Sequence, residues 1–335
     1  MRKDEAAPVA MLTQPCDTMK ALGLALAHRA TAQSPRLLSH FFEEDFQRPT
    51  RAGLAPQSMK MLHRAATVRE RLRQICRVCP SLTVGARISA ISQEELIMQE
   101  LVTSIAKMID HSLLHPTLTD EELKQGCELA RKYAVASVCV KPYAVPLVAD
   151  LLRGSAVAVG TVVGFPHGSN RIEIKAREAA MACDDGATEL DAVVNVGKVL
   201  SRDWSYVENE IKALTEAAHQ NSAILKVIFE NDFLPRNEFK IKLCEICSRI
   251  AVDFVKTSTG FGFVKRKDGS YSYQGATDDD LKLMRSHSSP AVQVKAAGGV
   301  RTLDDVLRYR SLGVTRIGAT ATEAILTEAR RRGME

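Results

Sequence analysis

Two lysines and a carboxylate stand in short apolar runs of this chain, where they could do chemistry together. Lys256 and Lys295 each end such a run, and Asp191 lies within another. An amine attacks a carbonyl only in its uncharged form, so a nucleophilic lysine needs a pKa lowered by burial or by a neighbouring cation. Two lysines on adjacent strands provide that neighbour for each other, which favours imine chemistry. Taken alone, each lysine is more typical of a structural ion pair with Asp191 or Asp110.

Glycines follow the last two of these runs. Gly298 and Gly299 come shortly after Lys295, and Gly318 leads through an alanine to Thr320 and a short predicted helix. Such turns let backbone N–H groups approach an anion, and the N-terminus of a helix attracts phosphate. The pattern favours a phosphorylated substrate, although turns that need glycine for backbone reasons alone explain it equally well.

Eight short apolar or β-branched runs carry these residues. Consecutive runs are separated by stretches that have a helical pattern or are long enough to hold a helix. Strands that alternate with helices form a parallel sheet, and closure leaves no edge, so we expect an α/β fold, the (β/α)8 or TIM barrel. An open doubly wound sheet is the alternative, but no glycine-rich nucleotide loop opens its first helix. In a barrel the carboxyl ends of the strands meet at one mouth. The runs are Met108–His111, Ser137–Val140, Ala158–Gly164, Thr188–Val194, Ile224–Phe229, Asp253–Lys256, Val292–Lys295 and Arg316–Gly318.

Residues 1–90 differ in composition from the remainder of the chain. They hold 14 Lys and Arg against 7 Asp and Glu, whereas residues 91–335 hold 31 against 33. They also lack sustained periodicity, because proline-containing stretches interrupt each helical pattern. We predict a poorly structured basic N-terminal extension over residues 1–90 and a barrel domain over 91–335. Few aromatic residues stand among the arginines, which favours a solvated arm over a nucleic-acid or membrane contact.

The cysteines and the apolar runs bear on location and on metals. No run is long enough to cross a bilayer or to serve as a secretory signal, and acidic residues in the extension disfavour an organellar transit peptide. We expect a cytoplasmic protein with reduced thiols. Two CxxC pairs, Cys76 with Cys79 and Cys244 with Cys247, have the spacing of zinc half-sites. The second pair lies on the apolar face of a predicted helix, which favours simple packing, and we expect neither a metal nor a cofactor.

Several longer segments together resemble the deoxyribose-phosphate aldolases, class I aldolases with a (β/α)8 barrel. The resemblance extends from Ile109 to Ile325. It is carried by Ile109-Asp110-His111, Ser137-Val138-Cys139-Val140, Val163-Gly164-Phe165-Pro166-His167-Gly168, Glu189-Leu190-Asp191, Leu225-Lys226-Val227-Ile228-Phe229-Glu230, Phe254-Val255-Lys256-Thr257-Ser258-Thr259-Gly260, Lys295-Ala296-Ala297-Gly298-Gly299-Val300-Arg301 and Arg316-Ile317-Gly318-Ala319.

The resemblance implies reversible cleavage of 2-deoxy-D-ribose 5-phosphate to D-glyceraldehyde 3-phosphate and acetaldehyde, in deoxyribose phosphate catabolism and without a metal. It implies that Lys256 forms the Schiff base and that Lys295 and Asp191 move protons. Asp110 and Thr259 are expected to support them. The partner is then a small phosphosugar rather than a nucleic acid or a membrane. The sequence does not reveal the oligomeric state, and a homodimer stays open. The implied phosphate-binding residues are Gly260, Gly298, Gly299, Gly318 and Thr320.

Two positions depart from the pattern of that family. The second of two serines often found after the last Gly-Ala is Ala321 here, and Phe261 stands where some members have a lysine. We therefore expect weaker phosphate binding. Two other functions stay open: a related imine-forming aldolase acting on another phosphosugar or ketose, and a degenerate barrel kept as a binding module, with the basic extension as its contact arm.

Overall fold

Residues 99–334 are the part of the chain that the computed structural model describes. The predicted extension over residues 1–90, its boundary with the barrel domain and the Cys76–Cys79 pair lie outside this part, so they stay predictions. Within it, no helix combines the length and the apolar character needed to span a membrane.

Eight parallel strands of the described part close into a barrel. Each of the eight predicted runs forms one of them, so the (β/α)8 fold is confirmed. The strands follow one another around the barrel in chain order, and the last pairs with the first. The barrel strands are β1 (Ile109–Leu113), β2 (Ser137–Val140), β3 (Ala158–Val163), β4 (Glu189–Val193), β5 (Ile224–Ile228), β6 (Phe254–Lys256), β9 (Gln293–Ala297) and β10 (Arg316–Ala319), while β7 (Val264–Lys265) and β8 (Tyr271–Ser272) form a separate antiparallel hairpin.

Helices connect the strands, and two of them begin with a capping box. The Thr119 hydroxyl accepts the N–H of Glu122, whose carboxylate accepts the N–H of Thr119, and Thr302 with Asp305 forms a second capping box. Both pairs have the three-residue spacing between a threonine and an acidic residue that is typical of a capping box. The helices are α1 (Asp120–Tyr133), α2 (Val145–Leu152), α3 (Ile172–Asp184), α4 (Val196–Leu200), α5 (Trp204–Gln220), α6 (Asn237–Ile250), α7 (Asp278–His287), α8 (Leu303–Ser311) and α9 (Thr322–Met334), with 3₁₀ turns at Pro142–Ala144 and Asn231–Phe233 and a helical segment over residues 99–106.

A buried ion pair joins two helices to one end of β4. Lys175 of α3 lies 2.7 Å from the Glu210 carboxylate of α5, and both side chains are fully buried. The Lys175 amine also donates to the Val193 carbonyl at 2.7 Å, and Glu210 accepts the N–H of Asn195 at 2.8 Å. Buried charges are tolerated where they are paired and hydrogen-bonded in this way.

The Cys244–Cys247 pair packs into the core from α6. Both residues are fully buried and belong to the main hydrophobic cluster, and burial raises the pKa of Cys244 to about 11. The packing interpretation of this pair is confirmed. Among residues 99–334, no three side chains of the His, Cys, Asp or Glu type lie together as a metal site would require.

Candidate active site

Strand register pairs each of the three predicted catalytic residues with a lysine on a neighbouring strand. Lys256 is the register partner of Lys295, which confirms that their strands are adjacent. Asp191 is the partner of Lys226 on the next strand. The expectation that the working groups stand at strand ends holds only for Lys256, because β9 continues two residues beyond Lys295 to Ala297. Lys295 therefore lies within its strand, opposite Lys256, and not at the strand end.

Asp191 joins the two lysines. Its Oδ2 atom accepts a hydrogen bond from the Lys256 Nζ at 2.6 Å and another from the Lys295 Nζ at 2.7 Å. The Lys295 Nζ also donates to Asp110 Oδ2 at 2.5 Å. The four side chains are buried, and Lys256, the most exposed, keeps only 3% of its surface accessible. The four residues thus form one connected network.

The environment of Lys256 favours its uncharged form. Burial lowers the pKa of this amine below its ordinary value, and the nearby Lys295 cation lowers it further, while Asp191 acts in the opposite direction. Because only the neutral amine is a nucleophile, a lowered pKa increases the reactive fraction at neutral pH.

Lys295 responds in the opposite way. Burial alone would lower its pKa, but Asp110 and Asp191 together outweigh burial and raise the pKa of Lys295. The expectation of a lowered pKa is therefore correct for Lys256 and wrong for Lys295. The physical reason is the second carboxylate, Asp110, which contacts Lys295. Lys295 stays a cation that can donate a proton.

Three further charged residues complete the network and had no role assigned from the sequence. The Lys226 Nζ lies 3.1 Å from Asp110, 2.6 Å from Glu189 and 3.0 Å from Asp191. Arg316 Nη1 lies 2.5 Å from Asp110 Oδ1 and 3.0 Å from Glu189 Oε2. A charge in the middle of an apolar run, such as Lys226 in β5, was the available signal, because a buried mid-strand lysine requires a partner.

The formal charges of this network also bear on Lys256. It holds four cationic side chains, three lysines and Arg316, against three carboxylates. An uncompensated buried charge is costly. With Lys256 uncharged, the other three cations match the three carboxylates one for one. The charge count and the direction of its pKa shift therefore agree.

Threonines fix the loop that follows Lys256. The Thr259 hydroxyl donates to Glu230, and its N–H donates to Glu230 Oε1 at 3.2 Å. The Thr257 hydroxyl donates to the Ala297 carbonyl at 2.8 Å and accepts the Ala297 N–H at 3.0 Å, which links β6 to β9. Thr259 therefore supports the site through the position of this loop.

The glycines proposed for phosphate binding follow neighbouring strands. Gly260 and Gly298 have φ of 93° and Gly299 has φ of 79°, in the region where residues with a side chain are strained. They follow β6 and β9, and Thr320 is exposed just after β10, which is next to β9 in the barrel. These four residues lie along one side of the barrel mouth.

Gly318 has a different position from the other four. It lies inside β10, where a Cβ would come within 3.1 Å of the Ala297 Cβ and 3.5 Å of the Lys295 Cε. Close packing beside Lys295 explains a glycine here, and its role in phosphate binding stays a prediction. The helix that follows, α9, has 13 residues, so it is not the short helix that was expected.

Comparisons with known proteins agree with this geometry. A family model described as DeoC/LacD family aldolase matches residues 104–322. The deoxyribose-phosphate aldolase of Rhodopirellula baltica is 52% identical over 227 residues, which cover 68% of this chain and 90% of that protein. That of Clostridium perfringens strain SM101 is 45% identical, over 66% of this chain and 93% of its own length. A tetrameric deoxyribose phosphate aldolase from Aeropyrum pernix superposes with a TM-score of 0.61 at 27% identity, covering 70% of this chain and 95% of that one. The chain belongs to the DeoC/LacD family of aldolases.

Proposed function

We propose that this protein is a class I aldolase that reversibly cleaves 2-deoxy-D-ribose 5-phosphate to D-glyceraldehyde 3-phosphate and acetaldehyde. The observation that carries the proposal is the buried Lys256 amine, whose pKa is lowered and whose Nζ lies 2.6 Å from Asp191. The relatives from Rhodopirellula and Clostridium, at 52% and 45% identity, support the choice of substrate.

The network supplies a group for each step of this reaction. The neutral Lys256 amine adds to the aldehyde carbon C1, and loss of water leaves a protonated imine. The C2–C3 bond then breaks: its electrons move into the imine to give a neutral enamine, and the C3 hydroxyl loses its proton. Asp191 is the base that receives protons, and the cationic Lys295 returns one to C2. Hydrolysis of the resulting imine releases acetaldehyde and restores Lys256.

Reductive trapping tests the assignment of Lys256. Incubation with acetaldehyde and borohydride should attach an ethyl group to the peptide that contains Lys256. The variant Lys256→Leu should lose both the label and the aldolase activity, whereas Lys212→Leu, which removes an exposed lysine of α5, should keep both. An active wild-type protein without a label on Lys256 would refute the proposal.

Substrate profiling separates this proposal from a related aldolase. The family description covers two kinds of aldolase, DeoC and LacD, so a second phosphosugar must be compared. Dependence on acetaldehyde as the donor in the synthetic direction supports the deoxyribose phosphate reaction. Labelled Lys256 without cleavage of deoxyribose 5-phosphate would indicate the other substrate class, and folded protein with neither label nor turnover would indicate a binding module.

The proposal extends to the assembly and the location of the protein. We propose a homodimer in the cytoplasm with a small phosphosugar as its partner. A barrel relative that is described as a tetramer supports self-association, and the number of two subunits comes from the sequence expectation alone. Sedimentation equilibrium of the full chain gives the mass of the assembly, and a monomer at micromolar concentration would contradict it. We further propose that no metal or cofactor is needed, so dialysis against EDTA should leave turnover unchanged.

A further inference from the structure

The connection between β6 and α7 is long and carries the β7–β8 hairpin. It extends over residues 257–277, whereas connections from strand to helix in α/β folds commonly have roughly 2–6 residues. It leaves the barrel directly after Lys256, at the carboxyl end of a strand, where barrel enzymes bind their substrates. A side chain of this connection that turns toward the mouth can therefore contact a ligand there.

The segment that follows the hairpin, residues 273–276, packs against the Gly298 turn. Asp232 accepts the N–H groups of Gln274 at 2.7 Å and Gly275 at 3.0 Å, which fixes the base of the hairpin. The Ala276 N–H donates to the Gly298 carbonyl at 3.1 Å. A Cβ on Gly275 would lie 2.5 Å from that carbonyl oxygen, so the two backbones are in direct contact. The hairpin is thus anchored on one of the glycines proposed for phosphate binding.

Tyr273 directs its hydroxyl at the same glycine. Its ring packs on the exposed Phe263 ring, with a centroid distance of 5.4 Å. The hydroxyl lies so close to Gly298 that a Cβ on that glycine would clash with it. This hydroxyl is buried and has no hydrogen-bond partner among residues 99–334. Because burying a hydroxyl without a partner is unfavourable, its position calls for an explanation.

We propose that Tyr273 is a specificity-determining residue whose hydroxyl donates a hydrogen bond to the substrate phosphate at the Gly298–Gly299 turn. This inference rests on the proposed function and adds a residue to its phosphate site. Ala321 removes one hydroxyl that the family resemblance led us to expect, and Tyr273 supplies one from the hairpin instead.

The charge state of Tyr273 is compatible with this role. Burial raises the pKa of its hydroxyl, and the carboxylates of Asp232 and Glu230 raise it further. The side chain is therefore a neutral donor at physiological pH, whereas a phenolate would repel a phosphate.

The hairpin provides a matched pair of variants for the test. Tyr273→Phe removes the buried hydroxyl, and Tyr271→Phe removes an exposed one two residues earlier in the hairpin. We would measure kcat/KM for 2-deoxyribose 5-phosphate and for unphosphorylated 2-deoxyribose. A hydrogen bond to a charged group contributes about 1.5–3 kcal/mol, so Tyr273→Phe should lower kcat/KM about 10- to 100-fold for the phosphate ester, chiefly through KM. It should leave the unphosphorylated sugar unaffected, and Tyr271→Phe should match the wild type on both.

The remaining outcomes overturn the inference. Equal losses on both sugars would show that Tyr273 acts only through the fold of the hairpin, and no loss on either would show that its hydroxyl does not contact phosphate. The rise in the thermal unfolding temperature on addition of inorganic phosphate gives a measurement independent of turnover. Tyr273→Phe should reduce this rise, and an unchanged rise contradicts the inference. A wild-type protein that binds phosphate in this way but does not cleave deoxyribose 5-phosphate would refute the proposed function alone.

Discussion

Lys256 and Lys295 are neighbours of the same residue type, yet their surroundings favour opposite charge states. Both donate to the same oxygen of Asp191, but Lys295 has a second carboxylate, Asp110, at 2.5 Å. At Lys295 the two carboxylates outweigh burial and raise the pKa. At Lys256 the single carboxylate is outweighed by burial together with the Lys295 cation, so the pKa of Lys256 is lowered. The division of labour between nucleophile and proton donor thus depends on Asp110, which need not touch the substrate.

The first prediction concerns the variant Lys295→Met. Removing this cation takes away an influence that lowers the pKa of Lys256, so that pKa should rise. The neutral, reactive amine then appears only at higher pH, and the pH profile of borohydride trapping by acetaldehyde should move to the alkaline side. Turnover should fall about 10²- to 10⁴-fold, as for loss of a general acid. Rates of labelling measured between pH 6 and pH 10 check the shift.

Asp191→Asn is the control that should move the pH profile of trapping in the opposite direction. The Asp191 carboxylate raises the pKa of Lys256, so its neutralisation should move the trapping profile to lower pH, although turnover also falls. Profiles that move in the same direction in both variants, or that stay in place, would show that the charges of this network do not control Lys256.

At the scale of elements, the Lys175–Glu210 pair connects α3 and α5 behind the carboxyl end of β4. We predict that Lys175→Met lowers the free energy of unfolding by about 3–5 kcal/mol, because it leaves a buried carboxylate without its partner. Lys212→Met, which breaks an exposed pair with Glu216 one helical turn away, should change stability by less than about 0.5 kcal/mol. Urea unfolding followed by circular dichroism measures both. Equal effects of the two variants would contradict the prediction.

The barrel strands could be predicted from the sequence because each combines a short apolar run with a helical or long connection on either side. Strand limits were less certain, and the two-residue continuation of β9 beyond Lys295 was missed, because alanines and glycines there resemble a turn. The β7–β8 hairpin was not predicted either. Its signal is the Asp268-Gly269 pair between two short strands, but nothing local shows that such a hairpin lies over the barrel mouth.

At the scale of the whole molecule, part of the site could be predicted from the topology of the barrel. Lys256, Lys295, Asp191 and Asp110 could be expected to converge, since the ends of parallel strands share one mouth. The contacts of Lys226 and Arg316 could not, because they depend on which side chains of non-adjacent strands meet inside the closed barrel. Lys226, for example, reaches Asp110 from β5, across the barrel from β1.

The expected N-terminal extension leads to a prediction about the whole chain. A chain that begins at residue 91 should retain the turnover and the urea midpoint of the full-length protein, since the family match begins at residue 104. Parallel kinetics of the two proteins with deoxyribose 5-phosphate check this. Loss of turnover in a folded truncated chain would show that residues 1–90 take part in the site or in its assembly.

Closure of the barrel leads to the last prediction, because a buried histidine bridges its first strand and its last helix. His111 of β1 lies 2.9 Å from the Thr322 hydroxyl at the start of α9, through its Nδ1 atom. Its Nε2 atom is buried without a partner in the described part of the chain, and burial lowers the pKa of His111 to about 4 from 6.5. The folded barrel therefore holds this imidazole neutral.

The sign of the resulting pH dependence follows from linkage. Above pH 6.5 neither state binds the proton, but between pH 6.5 and about 4 the unfolded chain binds it and the folded chain does not. Stability should therefore fall as the pH is lowered through this window, by roughly 3 kcal/mol in all, with no further loss from His111 below it. The difference between wild type and His111→Gln in urea midpoints at pH 7 and pH 4.5 isolates this contribution, because the glutamine cannot titrate. His115→Gln, at an exposed position, should show the same change in urea midpoint between pH 7 and pH 4.5 as the wild type. If His111→Gln also showed the wild-type change, the folded barrel would accept the charged imidazole.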